Sequence, residues 1–116
     1  MLMVATYYFP FSHPDPMNDR FHGPGWTEWD LMDVARPRFS GHRQPRVPQW
    51  GYEDDSDPEV MARKVKAASD HGLGAFVFDW YWFDGKPFLS RSLDEGFLGL
   101  GETDFRFALM WANHDW

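Results

Sequence analysis

Asp79 stands in the run AFVFDWYW, residues 75–82, which is otherwise apolar and aromatic. A carboxylate there is costly to bury unless it is paired or hydrogen-bonded. If the run is a strand, Ala75, Val77, Asp79 and Tyr81 share one face, and Phe76, Phe78, Trp80 and Trp82 share the other. The bulkier set would pack on helices. Asp79 and Tyr81 would then face a ligand, unless Asp79 is a structural acid held by backbone amides or an arginine. A second carboxylate, Glu28, lies between Trp26 and Trp29 in GPGWTEWD. An acid against indole rings can have its pKa raised, as a general acid requires. The plainer role for Glu28 is to favour the N-terminal end of a short helix begun at Thr27. Glycoside chemistry commonly uses two carboxylates, so Asp79 and Glu28 are the catalytic candidates.

Other constellations carry less. His13, Asp15, Asp19 and His22 offer N and O donors, but at spacings that match no metal signature. Asp55-Ser56-Asp57 is a D-x-D of the type that holds a divalent ion for nucleotide-sugar transfer, although Asp57 is also placed to cap a helix. His42 and Gln44 serve either a ligand or the loop that carries them. No glycine-rich phosphate loop follows a strand, and no serine sits in a nucleophile-elbow pattern. No metal and no cofactor is expected.

Three strand patterns must position these groups. Residues 2–9 (LMVATYYF), 74–83 and 105–113 (FRFALMWAN) are continuous apolar runs of the buried parallel type. Each ends in aromatic and polar residues: Tyr7-Tyr8-Phe9, Asp79-Trp80-Tyr81-Trp82, and Trp111 through Asn113 to Trp116. Rings that cover C–H faces beside groups that bind hydroxyls suit a sugar. Between the first two runs lies a long loop, residues 10–56. Eight of the nine prolines fall between residues 10 and 58, so little regular structure is expected there beyond a short helix near Thr27–Val34. Asp57-Pro58-Glu59 then signals a helix start, Met61, Val65 and Ala68 build its apolar stripe, and Gly72 stops it. A weaker helix, about Ser90–Leu100, contains Gly96 and Gly99.

Alternating strands and helices give an α/β class with a parallel sheet. Three strands leave both sheet edges open, so 116 residues fit the first part of a larger barrel, with self-association through those edges as a corollary. A net charge of −7 argues against nucleic-acid partners. Cysteine is absent, which excludes disulfides and a thiol nucleophile. No apolar run is long enough for a membrane span, and the start does not read as a signal peptide, so the expected location is cytoplasmic.

The series ATYYFPFSHPDPMND, GPGWTEWDLM, ARPRFSGHRQPRVPQWGY, DPEVMARKVKAASDHGLGAFVFDWYWFDGK and WANHDW resembles the WbsX-like family, also called glycoside hydrolase family 99-like. The likeness runs in order along the chain and covers the N-terminal third or so of such proteins. It implies a (β/α)8 TIM barrel, of which residues 1–116 would be a single partial domain: about three parallel strands, two helices and a long first βα loop. It also implies an oligosaccharide or polysaccharide partner of the bacterial surface or O-antigen type. Family members are described as hydrolase-like or glycosyltransferase-like, and related enzymes use carboxylates and no metal. Hydrolysis is the leading expectation, with glycosyl transfer or non-catalytic glycan binding as alternatives. By analogy Tyr7, Tyr8, Trp26, Glu28, Asp79, Tyr81, Trp82, Trp111 and Asn113 would line the sugar cleft. The principal catalytic glutamates of the relatives lie on later strands, so the chain alone would be inactive.

Overall fold

A computed structural model describes residues 2–112 and 114. The first strand, β1, is Ala5–Tyr8, shorter than the apolar run that contains it. The long loop holds the short helix expected near Thr27–Val34, here α2 (Trp29–Val34), and one that was not expected, α1 (Pro16–His22). Asp15 caps α1, accepting the Met17 amide at 2.7 Å, and Pro16 takes the first turn, where a missing N–H costs nothing. In α2 the Thr27 hydroxyl accepts the Trp29 amide while Asp30 reaches back to the Thr27 amide, a reciprocal capping box.

Helix α3 spans Pro58–Asp70. Its Asp57 cap accepts the Glu59 amide, and Gly72 beyond its end has a φ of 86°. The long strand β2 follows, Ala75–Phe83. It turns back through Asp84-Gly85, both at positive φ, into a short antiparallel strand β3, Lys86–Phe88. That turn is the hairpin type an Asp-Gly pair favours. The weaker helix expected over Ser90–Leu100 is a π-helical turn, Ser92–Phe97, continued by a 3-10 turn, Leu98–Leu100. Its glycines have a packing cause. A Cβ on Gly96 would run into the carbonyl oxygen of Asp55, and one on Gly99 would lie 3.0 Å from the Pro58 ring. Strand β4 is Arg106–Trp111.

The strands β1, β2 and β4 lie side by side in that order, all parallel. Residues paired across them share a face. Tyr8, Phe78 and Leu109 point to one side, and Tyr7, Val77 and Ala108 to the other. The first side meets α3 and the π-helical turn. Met61 and Val65 pack there with Phe76, Phe78, Leu93, Phe97 and Phe105 as the core. Burying several such side chains at about 1.5–3 kcal/mol each is what holds helix to sheet. No described helix packs on the second side.

Candidate functional site

The bare face carries Asp79 and Tyr81 at the C-terminal end of β2, the position where parallel α/β folds bind ligands. Tyr81 is 8% exposed. Phe9 and Phe88 meet it edge-on, and the His114 imidazole stacks on it at 5.8 Å with the planes 10° apart. Burial first, then the charge and hydrogen bond of Asp79, raise the Tyr81 phenol above its ordinary value. It therefore remains a neutral donor to the carboxylate. The other oxygen, Asp79 Oδ1, is buried and has no hydrogen-bond partner among the described residues. Tyr7 lies on the same face and is 71% exposed.

The remaining cleft candidates divide. Tyr8, Trp82 and Trp111 are not on the Asp79 face. Tyr8 packs on Phe76 and Phe78 in the helix-facing core, with ring centres at 5.0 and 4.8 Å. Trp80 stands between Trp82 and Trp111, at 5.9 and 5.1 Å. Trp26 leaves Glu28 to stack on His22 at 4.1 Å. Glu28 borders an apolar recess of about 310 Å³ with Phe9, Phe11, Trp29, Leu31 and Met32. Phe9 thus touches Tyr81 on one side and lines the Glu28 recess on the other. Asn113, like Asp115 and Trp116, lies outside the described residues.

A buried polar chain, which the sequence did not announce, fixes the loop that holds Glu28. His13 Nδ1 meets Asp55 Oδ1 at 2.7 Å, and both residues are essentially inaccessible. The Tyr8 hydroxyl donates to Asp55 Oδ2 at 3.0 Å and accepts from Lys64 Nζ at 3.0 Å. Burial, then the Asp55 charge and hydrogen bond, push the Tyr8 phenol far up. Burial also lowers the Lys64 ammonium below its ordinary value, with Asp55 opposing. Asp15 ties the loop further by accepting the Leu89 amide at 3.0 Å. Residue types alone could have suggested such ties, but no spacing places positions 13 and 55 together.

The D-x-D is accordingly consumed by structure: Asp55 is buried and Asp57 caps α3. His22 is stacked on Trp26, and Asp19 accepts the Gly25 amide. Among the described residues no group of three or more His, Asp or Glu side chains is gathered to hold a metal ion. No described helix is long and apolar enough to cross a membrane.

The described residues form a parallel α/β unit with a carboxylate and aromatic rings at its strand ends. The comparisons give it a family. The Glycosyltransferase WbsX family profile matches residues 4–116, and the chain belongs to that family. It is 40% identical over 114 residues to the uncharacterized protein WxcX of Xanthomonas campestris pv. campestris, in two strains. The match takes in 97% of this chain and 16% of the relative, so the chain spans about one sixth of the length of its curated relatives. No solved structure matches it.

Proposed function

We propose that the chain is the opening β/α portion of a barrel-folded glycosyltransferase of polysaccharide biosynthesis, and that Asp79 and Tyr81 bind a sugar hydroxyl. The family description favours transfer over the hydrolysis that the residues first suggested. The observation that carries the site is Asp79 Oδ1, a buried acceptor without a donor among the described residues. Such an oxygen costs free energy until a donor arrives, and a sugar hydroxyl supplies one. Tyr81 holds the other half of the acid in place, and the Phe9 and His114 rings beside it offer faces for sugar C–H groups. Sequential parallel strands with helices on one face are what a (β/α)8 barrel begins with, the Asp79 face being inward.

With Asp55 and Asp57 already committed, donor phosphate binding falls to residues elsewhere in the longer protein. The reading is tested in the full-length protein with a polysaccharide acceptor. Asp79→Asn should weaken acceptor binding at least about tenfold, the scale of a lost charge-assisted hydrogen bond, with little change in thermal midpoint. Equal losses of binding and stability would make Asp79 a structural acid.

A further inference from the structure

A second cavity, of about 380 Å³, lies away from Asp79, between α2 and the loop segment around Tyr52. That volume is within the roughly 300–1,000 Å³ of small-molecule sites. Its charged lining residues are Asp30, Asp33 and Asp54, with no lysine or arginine among the lining side chains. None of the three carboxylates is in an ion pair among the described residues. Asp30 uses one oxygen for the Thr27 amide and Asp54 uses one for Ser56, which leaves the other oxygen of each without a donor among the described residues. Lys64 and Arg91 both feel the Asp54 charge, but the Lys64 ammonium donates to the Tyr8 hydroxyl and the Arg91 guanidinium is taken by Glu95 and the Pro14 carbonyl.

The wall of this cavity is built rather than incidental. Trp29 stacks on Tyr52 at 5.0 Å, meets Phe11 edge-on at 4.9 Å, and donates its indole N–H to the Glu53 carbonyl at 3.0 Å. Both Trp29 and Tyr52 line the cavity. So does Ser12, which is 1% exposed and whose hydroxyl has no partner among the described residues. Thr27 adds a second hydroxyl.

We propose that this cavity binds an amino sugar, with its ring against Trp29 and its ammonium group drawn in by the combined negative charge of Asp30, Asp33 and Asp54 around the rim. Three carboxylates without a direct ion pair among the described residues, set beside an indole, select a cation. A fixed aromatic wall with hydroxyls nearby selects a ring that has both C–H faces and OH groups. A bare metal ion would need the carboxylates gathered closely, and they are not. The sugar part of the assignment rests on the carbohydrate reading above; the cation part stands on the cavity alone.

The experiment follows the Trp29 indole N–H signal of the nitrogen-15-labelled chain by NMR, near neutral pH. Glucosamine, N-acetylglucosamine, glucose and ethylamine are titrated separately. Glucosamine should move the Trp29 signal saturably and bind at least about fivefold tighter than the two uncharged sugars, with added salt weakening it. Asp33→Asn, an exposed change that leaves the fold intact, should weaken glucosamine by a similar factor, while Asp79→Asn should not. Three sugars of equal affinity, ethylamine as tight as glucosamine, or a Trp29 signal that never moves would each overturn the proposal. Because the readout is local to Trp29, these outcomes are separable from failure of the Asp79 site.

Discussion

The Tyr8 hydroxyl sits between a carboxylate and an ammonium, and that position makes it a pH-sensitive part of the fold. In the folded chain its proton is held well above the ordinary tyrosine value near 10, because burial and Asp55 disfavour the phenolate. The unfolded chain releases that proton at about pH 10. Below pH 10 both states keep it and the stabilising contribution is complete. Above pH 10 the unfolded state binds fewer protons, so stability falls as pH rises, by up to about 1.4 kcal/mol per pH unit for one group. Lys64 works in the opposite sense, since its folded value is lowered and its penalty eases as pH rises. Denaturant melts between pH 9 and 11 should show the fall, and Tyr8→Phe should flatten it. A variant slope equal to the parent's would assign the alkaline loss to another group, with Tyr81 the next to examine.

At the scale of elements, α3 and β2 were legible because each has strong local signals. Asp-Pro-Glu starts the helix, Gly72 ends it, and the apolar run after it has no helical spacing. Face assignment in β2 was legible for the same reason, since alternation is geometric. Helix α1 was missed although it carries the same Asp-Pro cap as α3, because its seven residues show no apolar stripe and prolines surround it. The hairpin turn was also written in Asp84-Gly85, but the apolar run drew attention away from it. The π-helical turn was not legible. It exists where Gly96 lets helix backbone touch the Asp55 carbonyl, a contact set by tertiary packing. Gly96→Ala should therefore destabilise by about 1–3 kcal/mol through overpacking. Gly99→Ala should cost less, since it meets only the Pro58 ring. Urea midpoints of the two variants test this; equal midpoints would deny Gly96 its special role.

For the whole molecule, the candidate site was half legible. Asp79 and Tyr81 could be read from one strand, whereas the ties that hold Glu28's loop join residues 42 and 47 positions apart in the chain. Local pattern cannot report such pairings. The helix-covered face is complete around Phe78 and Met61, yet Phe107, Leu109 and Trp111 on the same side of β4 stay exposed.

The clasp of His13, Asp55 and Tyr8 also bears on time. Its bonds span the whole loop, so they repay their closure entropy only once β1, α3 and β2 already stand together. They should be absent from the folding transition state. Asp55→Asn is then expected to speed unfolding and leave the folding rate nearly unchanged, as stopped-flow rates across a denaturant series would show. A slowed folding arm would mean instead that the loop closes first. On the late-closing account, the loop that carries Glu28 is the last part of the fold to lock and the first to come loose.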